Sequence, residues 1–459
     1  MNTKIKQMTF LSLTLALLLS CVDDDGTGVN PNPFEDDPNG PLLKVTYTSN
    51  ADSVFLSWEL LTDKVDFDTY QVSTGKSDKI VTVQRDQTGA VLTRIPYYEA
   101  VPVSVSLMKE GQSVRKITTE VTIDGHDKAF ARQLIPDRGS VTGGDGMYSI
   151  ALPDGRSVFL MGDSFIGPVT NGARSMQDHM FRNTYILYDK GKVSAVYGAN
   201  GGNTSAAVPP GVTDEGKKWY WPGHGFVDGN KLYIFQTLMY QGEAGMWGFR
   251  YEKTDILEYD LPGLELRKTV SVPFSGSTDI HYGMAALKQN DYVYIYAQVD
   301  VDNSINTVSD ALVARTTMDQ LYTKWEYFDG SGWSPNASDA VKMAGLATVP
   351  VSSQFNVFKL DNKYVLLTQD KRFNSGTIYT FIADSPQGPW YNKKLIYTTR
   401  EQNTPGLLTY NAMAHPQFEK DGMILISYNV NNEDFVKQHS DVSTYRPRLF
   451  WVEKDKILK

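Results

Sequence analysis

Short runs in which apolar and polar residues alternate follow one another along most of the chain. Successive side chains of a β-strand point to opposite faces, so alternation with a period of two predicts half-buried strands. Residues 41–125 contain six such runs, and the run Val54–Leu60 carries a central tryptophan, Trp58. Six or seven short strands in this length predict a β-sandwich domain over residues 41–125.

A different pattern recurs five times beyond residue 126: an apolar strand, a turn pair containing Asp, Asn or Gly, and a second apolar strand. Asp, Asn and Gly tolerate the positive φ of tight hairpin turns. The turn pairs begin at Asp154, Asp228, Asn290, Asp361 and Asp421. Each repeat is long enough for a four-stranded sheet, which predicts a five-bladed β-propeller over residues 126–459 and an all-β chain. A pair of irregular β-sandwiches is the alternative, but it would need no such period.

The first 21 residues have the pattern of an export signal. Lys4 and Lys6 precede an apolar run over residues 8–19, which is too short to span a bilayer and fits the apolar region of a secretory signal. Residues 18–21, Leu-Leu-Ser-Cys, resemble a bacterial lipobox, which implies cleavage before Cys21 and lipidation of its thiol. Cys21 is the only cysteine of the chain. An ordinary signal peptide beside an incidental cysteine is the alternative.

Residues 22–40 are rich in Asp, Gly, Asn and Pro and contain little that could be buried, which predicts a flexible acidic tether. The segment Val22–Asp25 resembles the acidic surface-export tag of Bacteroidota lipoproteins. The sequence therefore predicts a protein that is lipid-anchored to the outer membrane and exposed on the cell surface. Its sandwich domain would act as a spacer, with carbohydrate binding as the lesser alternative.

Charge and motif content narrow the functional classes. The formal net charge is −9, and an acidic surface repels phosphate backbones, so no nucleic-acid partner is expected. A single cysteine excludes a disulfide framework and Cys-rich metal sites. The chain has no nucleophile elbow, phosphate-binding loop, dinucleotide fingerprint or His-Glu-x-x-His motif.

Several segments resemble known families. Residues 381–390, Phe-Ile-Ala-Asp-Ser-Pro-Gln-Gly-Pro-Trp, are similar to an outer-strand segment of five-bladed glycosidases of the arabinanase, xylosidase and invertase type. Residues 314–333, 159–165 and 410–416 resemble an uncharacterised glycosidase-like propeller family, and residues 53–72 resemble a fibronectin type III domain. The propeller resemblance covers about residues 130–455. It implies a glycoside hydrolase that acts on an extracellular glycan, with a furanoside polymer such as arabinan as one candidate.

Polar residues recur where the first strand of each blade starts and where the second strand ends, and these positions share one face of a propeller. This pattern predicts a sugar-binding funnel, since amides and carboxylates bind hydroxyls and aromatic rings stack on sugars. The first-strand positions are Asp145, His224, His281, Gln354 and His415. The second-strand positions are Asp163, Gln236, Gln298, Asp370 and Asn429. Trp219 and Trp221 supply aromatic surfaces beside them.

Cleaving a glycosidic bond normally requires two carboxyl groups. Asp145, in Gly143-Gly-Asp-Gly146, and Asp163, in Gly162-Asp-Ser, are the first candidates, and the resemblance places an aspartate base at Asp145. Glu243, Asp370 and Asp279 are further candidates. The spacing of residues predicts no metal site and no cofactor, although the resemblance allows a structural calcium ion in the propeller centre, near a last-blade histidine. A lipoprotein that binds glycan without cleaving it is the alternative function.

We predict that Cys21→Ala abolishes attachment to the membrane while the propeller still folds, because the lipobox is the predicted anchor. Fractionation of expressing cells, with circular dichroism of the purified variant, checks this. A variant that remains firmly in the membrane pellet would contradict the lipid anchor.

Overall fold

The structure, a computed structural model, describes residues 28–29, 42–61, 64–74, 77–245, 248–274, 280–300, 309–373 and 375–459. The predicted signal segment, the lipobox with Cys21 and most of the predicted tether lie outside the described residues. The chain divides into two compact units, one ending at Gly125 and one running from His126 to Lys459.

The first unit is a sandwich of two antiparallel sheets, with strand order β1-β2-β3-β6 in one and β5-β4-β7-β8 in the other. Its described strands are β1 (Gly28–Val29), β2 (Leu43–Asn50), β3 (Ser53–Leu60), β4 (Thr69–Thr74), β5 (Ser77–Gln84), β6 (Gly89–Leu92), β7 (Val101–Lys109) and β8 (Gln112–Val121).

Alternate residues of β3 form the core of this sandwich, as the sequence pattern predicts. Val54, Leu56 and Trp58 are buried, whereas the residues between them are exposed. The ring of Trp58 packs 5.1 Å from that of Tyr70 on the opposite sheet. A single hydrophobic cluster joins the two sheets. The all-β sandwich is confirmed, and its assignment to the fibronectin type III class stays a prediction.

The second unit begins with helix α1 (Lys128–Leu134) and contains five antiparallel sheets that follow one another along the chain. The first sheet has β9 (Gly143–Ala151), β10 (Ser157–Phe165), β11 (Met180–Phe181), β12 (Thr184–Asp189) and β13 (Lys192–Val196). The second has β14 (Lys218–Asp228), β15 (Lys231–Gln241), β16 (Phe249–Asp260) and β17 (Glu265–Ser271). The third has β18 (Ile280–Gln289), β19 (Tyr292–Asp300), β20 (Ser309–Thr317), β21 (Glu326–Phe328) and β22 (Trp333–Ser334).

The fourth sheet has β23 (Asn356–Leu360), β24 (Lys363–Gln369), β25 (Thr377–Ala383) and β26 (Tyr391–Thr398). The fifth has β27 (Leu407–Lys420), β28 (Met423–Asn432) and β29 (Arg448–Glu453). Helices α2 (Phe435–Ser440) and α3 (Lys454–Leu458) belong to the last part of the chain, and short 3-10 helices lie at Met318–Gln320, Ala337–Asp339, Glu401–Asn403 and Val442–Tyr445. None of the described helices has the length and apolar composition needed to cross a bilayer.

The five sheets form a closed ring, and the predicted five-bladed propeller is confirmed. The first strands contact one another in the cyclic order β9, β14, β18, β23, β27 and back to β9, so they surround the axis. All five predicted turn pairs join the first and second strands of a blade, and Asn290, Asp361 and Asp421 have the expected positive φ. Apolar side chains fill the space between neighbouring blades, as Tyr148 and Ile234 do between blades one and two.

Blade five differs from the predicted four-stranded sheet because it has three strands. The segment that precedes α1 pairs with its outer strand instead: His126 forms an antiparallel bridge with Phe450, and the Asp127 N–H donates to the Leu449 carbonyl at 2.7 Å. The Asp127 carboxylate also accepts from the Trp451 indole N–H at 2.9 Å. The start of the propeller unit is thereby attached to its last strand, which covers an edge that would otherwise be open.

We predict that truncation before Arg448 lowers the melting temperature of the whole propeller. The deletion removes β29, which buries Leu449, Phe450 and Val452 and carries the bridge to His126. Truncation after Glu453, which removes α3 and keeps β29, is the matched control and should cost less. Equal melting temperatures for the Arg448 truncation and the full chain would contradict closure through this strand.

Candidate active site

Asp145 and Asp163 meet on one face of blade one. Asp145 lies near the start of β9 and Asp163 near the end of the antiparallel strand β10. The pairing of these strands is irregular between Met161 and Ser164, so Asp145 lies beside Gly162 and Asp163 rather than opposite a single regular partner. Both aspartates are partly exposed. The two strands therefore bring both carboxylates to one mouth of the propeller, as the sequence predicts from the hairpin geometry.

Two glycines allow this close approach. Gly146 has a φ of 91°, a backbone conformation that side chains disfavour. A Cβ atom at Gly162 would lie 2.5 Å from the Asp145 Oδ1 atom, which is closer than two non-bonded atoms can approach. The absence of a side chain at Gly162 thus lets the Asp145 carboxylate lie against the neighbouring strand.

Residues of blade five hold the Asp145 carboxylate. The Tyr410 hydroxyl on β27 donates to Asp145 Oδ2 at 2.6 Å. The Tyr445 hydroxyl shares its proton between the same oxygen, at 3.2 Å, and the Asp163 carbonyl, at 3.0 Å. Asn431 donates in turn to the Tyr410 oxygen at 3.2 Å. Burial and the charge of Asp145 raise the pKa of both phenols, so both stay protonated and act as donors. The Asp163 backbone N–H is a further donor to Asp145.

Asp163 is held from the other side, by blades one and two. The Trp221 indole N–H on β14 donates to Asp163 Oδ1 at 2.9 Å, and the Arg182 guanidinium donates to Oδ2 at 3.3 Å. Arg182 also lies over the ring of Trp219, 4.2 Å from its centroid. Stacking on an aromatic face fixes the plane of a guanidinium, so Trp219 orients the cation that faces Asp163.

The two carboxyl groups have different proton affinities. Burial, followed by the charge of Asp163, raises the pKa of Asp145 to about 7. Burial also raises the pKa of Asp163, but the positive charge of Arg182 and the Trp221 N–H oppose that rise. Asp145, whose donors are neutral, therefore carries the proton more readily, and Asp163, beside a cation, keeps the negative charge.

Two of the histidines expected at the funnel have structural partners. His224 stacks on Tyr148 of blade one and accepts from the Ala286 N–H of blade three at 3.1 Å, and burial lowers its pKa to about 4. His415 is completely buried, with its two ring nitrogens bonded to Ser149 and Ser427. The expectation that His415 lies at the mouth is corrected, because β27 starts at Leu407 and His415 falls in the middle of the strand.

Three of the amide side chains expected at the mouth are buried and hydrogen-bonded to other protein groups. They therefore do not occupy exposed positions at the mouth. Gln236 donates to the Tyr185 hydroxyl at 2.9 Å, and Gln298 donates to Asp300 at 2.6 Å. Asn429 contacts the Gly146 carbonyl at 3.4 Å.

Gln354 and His281 keep partial exposure on the same face. Gln354 donates to the Pro222 carbonyl at 2.8 Å, which links blades four and two across the axis. The His281 ring stacks on Tyr251 with centroids 4.1 Å apart. Both contacts fix side chains that border the central opening, where the sequence pattern places them.

The remaining carboxylate candidates do not join the aspartate pair. Glu243 lies on an exposed loop, where it pairs with Arg250 at 2.5 Å. Asp370 is buried and forms a bidentate ion pair with Arg372 of its own loop, with one contact at 2.9 Å. Asp279 lies outside the described residues. Of the named carboxylates in the described part of the chain, Asp145 and Asp163 are the two that face each other.

Three residues of this site were not identified by the sequence patterns. Tyr410 occurs in a segment recognised for its family resemblance, but nothing in that segment indicated a contact with Asp145. Tyr445 lies in a short 3-10 helix, and Arg182 lies between the two-residue strand β11 and β12, outside any repeating pattern. Their signal in the sequence is weak: Arg182 and Tyr445 are polar residues that follow the second strand of a blade, and Tyr410 lies near the start of a first strand.

The propeller centre offers little to a metal ion through its histidines. The described residues contain no group of three or more His, Cys, Asp or Glu side chains arranged to hold a cation. The nitrogens of His415 are both bonded to hydroxyl groups, and His224 Nδ1 accepts from a backbone N–H. The imidazoles therefore do not fit the ligand role that the resemblance allows for calcium.

Comparison with solved structures supports the architecture. A Bacteroides ovatus crystal structure named a "putative hydrolase" is similar at a TM-score of 0.60 and 21% identity, with 71% of this chain and 89% of that chain covered. Weaker similarity links the chain to a GH32 β-fructofuranosidase of Bombyx mori (TM-score 0.38, 12% identity, 69% and 60% covered). It also links the chain to an exo-1,5-α-L-arabinanase from a bovine ruminal metagenomic library (TM-score 0.36, 10% identity, 68% and 94% covered).

At 21% identity, the likeness to the Bacteroides ovatus protein shows a shared fold. No match was found among curated proteins. A family model does match most of the propeller unit, over residues 127–454, and on that match the chain belongs to the family described as Domain of unknown function (DUF5005).

Proposed function

We propose that the propeller is a glycoside hydrolase and that Asp145 and Asp163 are its catalytic pair. The observation that carries this proposal is two partly exposed carboxyl groups in one mouth, one beside a cation and the other beside neutral donors. Glycoside hydrolysis uses one protonated and one ionised carboxyl group. The predicted lipobox and the family resemblance support an extracellular glycan as substrate, with a furanoside polymer such as arabinan as one candidate.

The different surroundings of the two aspartates assign their roles. Asp145 holds a proton near neutral pH and would donate it to the oxygen of the departing sugar. Asp163 is ionised beside Arg182 and would activate water or attack the anomeric carbon. This assignment differs from the one the family resemblance implies, where Asp145 is the base. Trp221 would present its ring to the substrate, since its N–H is already used by Asp163.

We predict that Asp145→Asn and Asp163→Asn each reduce kcat by at least about 100-fold, since losing general acid–base catalysis typically costs about 10²–10⁴-fold. Asn preserves volume but cannot ionise, so both variants should fold. Reducing-sugar release from a panel of polysaccharides, arabinan included, measures the effect. Asp421→Asn, the same change on an exposed hairpin turn of the opposite face, is the matched control and should keep full activity.

Full activity in both variants would place the catalytic groups elsewhere. Glycan binding by a folded wild-type protein that releases no sugar from any polysaccharide would favour the non-catalytic glycan-binding alternative.

We predict that kcat/KM falls as the pH rises above about 7, because Asp145 then loses the proton that it donates.

The pH dependence of the melting temperature gives a second measurement, which needs no substrate. The raised pKa means that the folded state binds this proton more tightly than the unfolded state, so rising pH destabilises the fold between about pH 4 and 7. Asp145→Asn should therefore show a flatter dependence of melting temperature on pH than the wild type. Identical pH profiles of melting temperature for the two proteins would contradict this.

A further inference from the structure

A cup lies on the same face of the propeller as the aspartate pair. It has a volume of about 460 Å³, within the range of small-molecule sites. Its walls come from the loop before β11 and from the loop that joins β13 to β14. Its polar lining includes Asn200, Asn203, Asp214 and Glu215.

Hydrogen bonds within these loops shape the cup and leave its amides available. The Ser205 N–H donates to Glu215 Oε1 at 3.1 Å, and the Gly198 N–H donates to the Thr204 carbonyl at 2.6 Å. Among the described residues, none accepts or donates a hydrogen bond to the side-chain amides of Asn200 and Asn203. These two amides therefore offer donors and acceptors to a ligand in the cup.

One arginine connects the cup with the catalytic carboxylate. The Arg182 Nε atom donates to the Glu215 carbonyl in the cup wall at 3.2 Å, and its NH1 atom donates to Asp163 Oδ2 at 3.3 Å. A single guanidinium thus separates the cup from Asp163.

Two exposed tyrosines adjoin the segments that form the cup. Tyr197, which is 45% exposed, immediately precedes the loop that carries Asn200 and Asn203. Tyr240, which is 38% exposed, is paired with Lys218 next to the other wall, where the Gln241 N–H donates to the Lys217 carbonyl at 2.9 Å. Amide groups with flat apolar rings on adjoining segments match the two kinds of surface that a sugar presents.

We propose that this cup is a second sugar-binding subsite, which takes the unit of a glycan chain next to the one held at Asp145 and Asp163. This inference rests on the proposed function and deepens it, since the substrate would then be an oligosaccharide or polysaccharide. The carboxylates of Asp214 and Glu215 in the walls disfavour acidic sugars, so the expected ligand is an uncharged glycan.

The test measures binding of three uncharged trisaccharides, arabinotriose, xylotriose and galactotriose, by saturation-transfer NMR and calorimetry. We expect at least one to bind the wild type. Asn203→Ala and Tyr240→Ala should each raise its Kd about five- to tenfold, since each removes one hydrogen bond or one stacking surface. Tyr391→Ala is the matched control, because Tyr391 is 41% exposed at the start of β26, on the opposite rim, and should leave the Kd unchanged.

Each outcome separates the subsite from the proposed reaction. Unchanged Kd values in Asn203→Ala and Tyr240→Ala, for a trisaccharide whose binding is lost in Asp163→Asn, would overturn the cup and leave the aspartate site standing. Weaker binding in the cup variants, without sugar release by the wild type from any polysaccharide, would support the cup and overturn the hydrolase. Binding of none of the trisaccharides to the wild type would overturn the subsite.

Discussion

The junction between blade five and blade one is the contact on which both the fold and the candidate site depend. On its outer side, the segment at His126 and Asp127 attaches to β29 and closes the ring. Near the axis, Tyr410 and Tyr445 of the last blade donate to Asp145 of the first. A propeller has no core shared by all blades, so each blade is held by its two neighbours. Any loosening of this one junction would move the donors of Asp145.

Removing two neighbouring carboxylates from water costs free energy. Different partners reduce that cost at Asp145 and at Asp163. Asp163 has a cation that is itself oriented by stacking on Trp219. Asp145 has hydroxyl and backbone donors but no cation, which leaves its proton affinity high. Because only Asp163 has a neighbouring cation, the two carboxyl groups differ in proton affinity. One mouth can therefore hold a proton donor and an anion at neutral pH.

The alternation of apolar residues and the turn residues between them were enough to predict the blades. Contacts between segments far apart in the sequence could not be predicted in this way. The turn at Asp361, for example, is determined by two residues and their φ preferences. His415 was expected at the mouth because its hairpin pattern was recognised only from residue 416 onwards, but β27 begins at Leu407, which places Tyr410 there instead. The pairing of His126 with Phe450 joins residues from opposite ends of the unit, and no periodicity of either segment indicates it.

The hydrogen bonds from Tyr410 and Tyr445 to Asp145 span 265 and 300 residues of chain. Contacts of such long range form late, after the entropy of closing the intervening loop has been overcome. During synthesis Asp145 emerges first and its two hydroxyl donors emerge last, when nearly the whole propeller is already available. The mouth of blade one can therefore be completed only once the chain extends past Tyr445, and a chain that ends before Tyr410 would carry both aspartates without these donors.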